Sequence, residues 1–240
     1  MSVPAFCLLS AVVLVGSLLQ VSIGFGLGML AAPVIALLDP TLVPVVLLLL
    51  ATGVTTATVL AERAHLDLRG AGWALGGRVP GTIAGAALVA FLPAKALAFS
   101  VAAVVLIGVV VVVSLRGFRP RPTPRAVALA GAASGLMGTA TSIGGPPMAL
   151  VWQRYAGPKM RGTMSAFFLV GSVLSLGALA VAGVVHLETL RYSALLAPAA
   201  AAGVLLARPL SRHLDESRTR GVAMVLAVAG AVTLTVQQFL

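Results

Sequence analysis

SIGFGLGMLAAP at residues 22–33 and TATSIGGPPMAL at residues 139–150 are the two stretches that decide the fold of this chain. Each interrupts a long apolar run, the first at about residues 3–38 and the second at about residues 126–152. A helix needs about 20 residues to cross the hydrocarbon core of a membrane, and Gly and Pro are poor helix-interior residues. Each run is therefore predicted to be a broken helix, either a re-entrant hairpin or two thin crossings joined by a tight turn.

The composition places the whole chain in a membrane. Hydrophobic residues make up 60% of the 240 residues and charged residues only 9%, whereas a soluble domain has about 25% charged residues. Spanning segments must satisfy their own backbone hydrogen bonds, and runs this long and continuous favour helices over the alternating strands of a barrel. We therefore predict an all-α polytopic membrane protein. The remaining apolar runs lie at about residues 41–60, 71–91, 97–115, 163–185, 192–206 and 221–240.

The basic residues indicate the topology. If both broken runs enter and leave on the same side, one face holds most of the Lys and Arg, in the loops 61–70, 116–125, 153–162 and 207–220. The other face then holds only Lys95 and Arg191. Under the positive-inside rule this selects the hairpin interpretation and puts both termini outside the cytoplasm. It also explains the net charge of +10 without a nucleic-acid partner.

An internal repeat relates the two halves. SIGFG at residues 22–26 aligns with SIGGP at 142–146, and AHLDLR at 64–69 aligns with VHLETLR at 185–191, at an offset of about 120 residues. Each half would contain one broken hairpin and three transmembrane helices, and an odd number of crossings inverts the second half.

The predicted fold is therefore two inverted-topology repeats. Residues 1–115 form the first membrane repeat, 116–125 a basic cytoplasmic linker, and 126–240 the second, inverted repeat. Such repeats are typical of transporters, whose substrate sites lie near the midplane and are formed by discontinuous helices.

The helix breaks are the predicted substrate site. A helix that restarts inside a membrane exposes backbone N–H groups and the positive end of its dipole, which attract anions. Glycines permit a close approach of a ligand or another backbone, proline suits a first helical turn, and hydroxyls add donors. The alternative is that these small residues only allow tight helix packing. The candidates are Ser22, Gly24, Gly26, Gly28, Thr141, Ser142, Gly144, Gly145, Pro146 and Pro147.

Arg78 is a further candidate, because it lies inside the apolar run 71–91. Ionisable residues within a membrane are costly and are functional hypotheses by default. Arg78 could bind the anion, or its side chain could snorkel to the interface with Trp73 as an interfacial anchor.

The acidic residues exclude other classes. All of them lie in or near loops, so a cation carrier with buried carboxylates is disfavoured and an anion or a neutral acid fits better. His65 and His186 occupy equivalent repeat positions at loop edges, and Asp67 and Glu188 could pair with them or cap helices. No metal-ligand cluster, nucleotide-binding motif or catalytic motif is present, so we expect no cofactor and no enzymatic activity. An intramembrane enzyme and a subunit of a larger transport complex remain the alternatives.

The two Gly/Pro segments, GFGLGMLAAPVIALLDP at residues 24–40 and GLMGTATSIGGPPMALVWQ at 135–153, resemble the TauE/SafE family of sulfite exporters. The resemblance covers nearly the whole chain. It implies movement of sulfite, sulfoacetate, thiosulfate or a related small anion across the bacterial inner membrane. It also adds Phe25 to the substrate-binding candidates. The expected partners are a small anion and membrane lipid, and homo-oligomerisation is left open.

Overall fold

The computed structural model describes residues 2–114, 123–155, 157–210, 216–237 and 239, and within them the chain forms ten α-helices and no strand. The helices are α1 (Val3–Ile23), α2 (Leu27–Leu38), α3 (Val45–Glu62), α4 (Leu68–Phe91), α5 (Ala94–Ser114), α6 (Pro124–Thr141), α7 (Gly145–Val151), α8 (Gly157–Val181), α9 (Leu187–Leu210) and α10 (Glu216–Gln237). Single 3₁₀ turns at Pro40–Leu42 and Arg63–His65 precede and follow α3. The predicted all-α fold is confirmed.

Six of these helices are long and apolar enough to cross a membrane: α1, α3 with its 3₁₀ extension, α4, α5, α8 and α9. The short helices α2 and α7 have 12 and 7 residues. At 1.5 Å per residue they reach about 18 and 10 Å, against a hydrocarbon core of about 30 Å. Neither short helix is therefore a complete crossing by itself, and each broken run pairs one long helix with one short one.

The backbone of both breaks lies in the left-handed region. Gly24 ends α1 at φ +86° and Gly26 precedes α2 at φ +143°, conformations that only glycine adopts without strain. Ser142 ends α6 at φ +61°, and its hydroxyl donates to the carbonyl of Pro44 at 3.0 Å. The Gly-rich sequences therefore terminate the helices where the composition predicts.

Glycines bring α4 and α6 into close contact. A Cβ at Gly77 or Gly81 would overlap a carbonyl oxygen of α6, and a Cβ at Gly131 would overlap the carbonyl oxygen of Ala74. Small residues four apart allow this close approach of two backbones. In a membrane such packing is important for helix association, because lipid tails are as apolar as the side chains and there is no hydrophobic driving force. The contact fixes Arg78, which lies between Gly77 and Gly81 on α4.

The main helix pairings are the same when helices α1–α5 are exchanged, in order, with helices α6–α10. Helix α4 packs on α6 as α9 packs on α1, α4 on α8 as α9 on α3, and α5 on α7 as α10 on α2. The pair α3–α8 maps onto itself, and there the hydroxyls of Thr52 and Ser172, 120 residues apart, are 2.9 Å from each other. The opposite membrane orientation of the halves and the predicted repeat boundaries stay predictions.

Two of the predicted basic loops lie together at one end of the bundle. Arg161 at the start of α8 contacts Glu62 at the end of α3, and Tyr155 contacts Asp67. Both loops are shorter than predicted, because α4 begins at Leu68 and α8 at Gly157.

The other two basic loops fall largely outside the described residues. For the linker 116–125, only 123–125 are described, and α6 already begins at Pro124. In the loop 207–220, α9 continues to Leu210 and α10 begins at Glu216. These bounds differ from the prediction because helices extend past the apolar core into the polar ends.

Candidate functional site

Arg78 lies deep inside the bundle. Helix α4 begins at Leu68 because the Asp67 carboxylate caps it, accepting from the Gly70 N–H at 3.0 Å. Arg78 is ten residues further on, about 15 Å along the axis, and only 1% of it is exposed. A snorkelling side chain would reach the interface, so this interpretation of Arg78 is wrong. Trp73, which was expected at the interface, is half exposed on the same helix.

Neutral groups surround the guanidinium of Arg78. Its Nη1 donates to the Ser134 hydroxyl and its Nη2 to the Ser175 hydroxyl, both at 3.4 Å, and its plane faces the Phe167 ring at 4.8 Å from the centroid. Its Nε has no hydrogen-bond partner. No carboxylate among the described residues forms an ion pair with it. A buried cation without a counter-ion is strongly unfavourable, so these surroundings favour a negatively charged group beside Arg78.

Glycines make the space that Arg78 occupies. A Cβ at Gly171 of α8 would overlap the guanidinium, and a Cβ at Gly138 of α6 would lie 3.3 Å from Nη2. A Cβ at Gly135 would lie 3.0 Å from the Arg78 Cγ. The arginine is therefore held in a slot between α6 and α8.

A cavity of about 40 Å³ lies beside Arg78, between the two helix breaks; we call it the central cavity. One water needs roughly 10–15 Å³, so the central cavity has room for a few waters or one small ion. Gln20, Gly138 and Ser172 complete its polar wall, and Leu47, Leu48, Ala51 and Phe168 form its apolar wall.

The two breaks touch each other at the central cavity. A Cβ at Gly28 would overlap the Ser142 carbonyl, and a Cβ at Gly145 would lie 2.9 Å from the Phe25 side chain. The Ser134 hydroxyl donates to the Gly144 carbonyl at 2.7 Å while it accepts from Arg78. One serine therefore links the guanidinium directly to the second break.

The breaks differ in what they offer an anion. Helix α2 begins with backbone N–H groups, of which that of Leu27 is already bound to the Gln20 side chain at 3.3 Å. Helix α7 is five residues shorter, and its second and third residues are Pro146 and Pro147, which have no N–H. The two half-helix N-termini are therefore not equivalent, and Arg78 lies on the side of the second break, to which Ser134 links it.

The structure brings seven of the twelve predicted site residues to the central cavity. They are Phe25, Gly26, Gly28, Arg78, Ser142, Gly144 and Gly145.

The other five predicted residues lie elsewhere. Ser22 lines a separate cavity, Gly24 packs against Met164, and the Thr141 hydroxyl donates to the Met137 carbonyl of its own helix. Pro146 packs against Gly108 of α5, and Pro147 does not line the central cavity. They sit on the far side of each turn, because a helix break has an outer surface as well as an inner one.

Sequence reasoning missed the contributions of α6 and α8. Ser134, Gly138, Ser172 and Ser175 hold or flank Arg78. A signal was present, since Gly171, Ser172 and Ser175 share one face of an apolar helix, but only packing identifies what that face meets.

The histidines and loop acids are remote from the central cavity. His65 Nδ1 lies 3.6 Å from Glu62 Oε2. Asp67 caps α4 and accepts a hydrogen bond from the Tyr155 hydroxyl. Burial raises the pKa of Asp67, but hydrogen bonds from Tyr155 and the Gly70 backbone, together with Lys159, outweigh it, so this pKa lies below its usual value. Burial and the same hydrogen bond raise the pKa of Tyr155. The capping interpretation of Asp67 therefore agrees with the structure.

Comparison with known proteins identifies a family. A sequence profile of the family described as sulfite exporter TauE/SafE matches residues 8–234, nearly the whole chain. No curated protein and no solved structure matches significantly.

Proposed function

Because the chain belongs to the sulfite exporter TauE/SafE family, which comprises membrane anion permeases and exporters, we propose that it moves a small sulfur-containing oxyanion across the bacterial inner membrane. Sulfite, thiosulfate and organosulfonates are the candidates. The observation that carries the proposal is Arg78, a fully buried arginine inside a membrane helix with no carboxylate partner among the described residues.

The charge argument favours an anion over any other cargo. A guanidinium is always protonated and presents several N–H donors in a plane, a geometry that suits carboxylates, phosphates and similar oxyanions. The two serines next to Arg78 contact it at 3.4 Å, which is long for a hydrogen bond. An oxyanion in the central cavity would accept hydrogen bonds from the guanidinium in place of these long contacts.

The size of the central cavity favours the smaller candidates. Its volume of about 40 Å³ has room for a few water-sized groups, so a small oxyanion such as sulfite fits more readily than a longer anion. An organosulfonate with a carbon chain needs a wider cavity, and the apolar wall formed by Leu47, Leu48 and Ala51 is where it would widen.

The start of α2 provides a second contact for the anion. Gly28 and Met29 in its first turn line the central cavity, and the positive end of a helix dipole favours negative charge there. Binding between this turn and Arg78 places the anion between the two repeats. The exchangeable helix pairings support an inverted repeat, in which one half moves against the other around a fixed site.

Transport into liposomes tests the proposal. The purified protein is reconstituted, and uptake of radiolabelled sulfite is compared with that of empty liposomes. Unlabelled thiosulfate, taurine, sulfate and chloride are then added as competitors. We expect sulfite uptake above the empty control, competition by thiosulfate, and weaker competition by taurine because of its length. No uptake of any sulfur oxyanion, with the protein shown to be inserted and folded, would overturn the proposal.

The proposal also includes the orientation of the protein in the bacterial inner membrane. The basic ends formed by the loops at residues 61–70 and 153–162 would face the cytoplasm, and both termini would face the periplasm. A reporter fused to either terminus, active only on one side of the inner membrane, tests this orientation.

A further inference from the structure

A second cavity, of about 330 Å³, lies near the end of α1 and is separate from the central cavity; we call it the access cavity. Its polar lining consists of Ser22, Thr58, Glu62 and Arg161, and its remaining walls are apolar residues of α1, α3 and α9. The Ser22 hydroxyl is buried and has no hydrogen-bond partner. The polar residues sit at the end of the bundle where the two basic loops meet.

An ion pair crosses the access cavity. The Nη2 and Nε atoms of Arg161 donate to the same Glu62 oxygen, Oε1, at 2.8 and 3.2 Å. Arg161 is 29% exposed and Glu62 19%, so water reaches both. Solvent-exposed ion pairs are worth only about 0–1 kcal/mol in many proteins, and a partly exposed pair such as this one is easier to exchange for another anion than a buried one.

One face of α8 connects the two cavities. Arg161, Met164, Phe168 and Ser172 follow each other at helical spacing; the first lines the access cavity and the last two line the central cavity. Arg161 and Ser172 are about 16 Å apart along the axis.

Met164 lies on this face of α8 between Arg161 and Phe168. It is fully buried, and its sulfur lies 3.3 Å from where a Cβ of Gly24 would be, at the first break. Methionine is flexible and fills irregular gaps, so this side chain can move aside with less rearrangement than a branched one.

We propose that Arg161 is an outer binding subsite for the transported oxyanion, and that Glu62 occupies it until the anion displaces the carboxylate. This inference rests on the proposed function, because the anion must then continue to Arg78. The displaced Glu62 carboxylate remains near His65, whose Nδ1 is 3.6 Å from its other oxygen. The chemical class of ligand is a small oxyanion that matches a guanidinium.

Cysteine accessibility tests the inference, since Cys7 is the single cysteine of the chain. A Cys7→Ala, Ser22→Cys protein in liposomes is treated with two methanethiosulfonate reagents of similar size, one anionic and one cationic. With Glu62 in place, we expect slow modification by both.

The Glu62→Gln change frees Arg161, so we expect modification by the anionic reagent to accelerate about fivefold, while the cationic reagent gains little. Sulfate in the buffer, an oxyanion that does not react with the reagents, should slow the anionic reaction in this variant. Arg161→Gln should remove the preference for the anionic reagent. Glu188→Gln, which removes a carboxylate at the start of α9 away from both cavities, is the matched control and should change nothing.

Equal acceleration of both reagents would show that Glu62→Gln merely loosens packing and would overturn the inference, as would no acceleration at all. If Glu62→Gln fails to fold, the charge-swapped pair Glu62→Arg with Arg161→Glu keeps the ion pair but places the arginine on α3. In the swapped protein both reagents should again modify the cysteine introduced at Ser22 slowly, and rapid modification would contradict the inference.

Sulfite flux through the original protein distinguishes failure of the outer subsite from failure of the proposed function. Flux without the expected labelling pattern overturns only the outer subsite, whereas absence of flux overturns the proposed function and the subsite with it.

Discussion

Arg161 belongs to α8 and Arg78 packs against α8, and the surroundings of the two guanidinium groups differ in one decisive respect. Arg161 is 29% exposed and has a carboxylate partner, Glu62. Arg78 is 1% exposed and has only serine hydroxyls and an aromatic ring. Electrostatic interactions strengthen as the dielectric constant falls, so the absence of a counter-ion matters most at the inner position.

The comparison shows where this protein leaves positive charge unpaired. At the surface a carboxylate neutralises the cation at little cost, because water solvates both groups when they separate. Inside the bundle a resident carboxylate would neutralise the guanidinium of Arg78, and none among the described residues pairs with it. The inner site therefore has hydroxyls that orient Arg78 without cancelling its charge.

The largest effect should follow from removing the inner charge. We expect Arg78→Gln to lower sulfite flux at least about 30-fold, since truncating one partner of a buried charge pair costs about 2–5 kcal/mol. Arg78→Lys keeps the charge but not the planar set of donors, and should retain intermediate flux. Flux assays on equal amounts of folded protein measure both. Equal, unimpaired flux in the two variants would contradict the role of Arg78.

A smaller effect should follow from displacing Arg78 without changing its charge. A Cβ at Gly171 would overlap the guanidinium, whereas a Cβ at Gly177, on the same helix, meets nothing within 4 Å. We expect Gly171→Ala to lower flux about tenfold, because overpacking costs roughly 1–3 kcal/mol. The matched control Gly177→Ala should keep its flux and gain about 0.5–1 kcal/mol in stability, as alanine favours a helix. Identical flux in both would show that the position of Arg78 is not critical.

The smallest effect concerns the basic end near Arg161, which Asp67 and Tyr155 also hold together. Tyr155→Phe removes one hydrogen bond and should lower the free energy of unfolding by about 1 kcal/mol. Tyr192→Phe, at the only other tyrosine, is the control. Thermal melting in detergent measures both.

The acid dependence of the same contact has a defined sign. Because the folded-state pKa of Asp67 is lowered, its contribution is fully present above the unfolded value of about 3.9 and is lost as the pH falls through the folded pKa. Asp67→Asn should therefore lower stability at neutral pH and flatten the decline below about pH 4. An unchanged acid dependence in this variant would show that other carboxylates cause the decline.

Much of the architecture was predictable because membrane sequences carry strong signals. Apolar runs of about 20 residues specify helices, and the clustered glycines and prolines specify where two of them break. Gly24, Gly26 and Gly144 stand at or beside helix ends in the structure. The helix ends in the basic loops were less predictable, since helices continue for several polar residues beyond the apolar core.

The candidate site was predictable only in part, for a geometric reason. The breaks and Arg78 are identified by residue type, so most of the predicted set meets at the central cavity. Ser134, Ser172 and Ser175 are ordinary small residues in apolar helices, and nothing in their local sequence says that they face an arginine. Ser22 and Thr141 have promising hydroxyls, but the turn points them elsewhere.

The sequence by itself determined that this chain is helical, that it lies in a membrane, and that two of its helices are interrupted by glycine and proline. These properties depend on the solvation of side chains and on local backbone preferences, which act within a single helix. Only the tertiary structure decided that Arg78 is buried rather than snorkelling, that the two breaks meet beside it, and that Glu62 occupies Arg161. Those outcomes depend on contacts between residues about 100 to 120 positions apart in the sequence, such as Arg161–Glu62 at a separation of 99 residues, which no local pattern specifies.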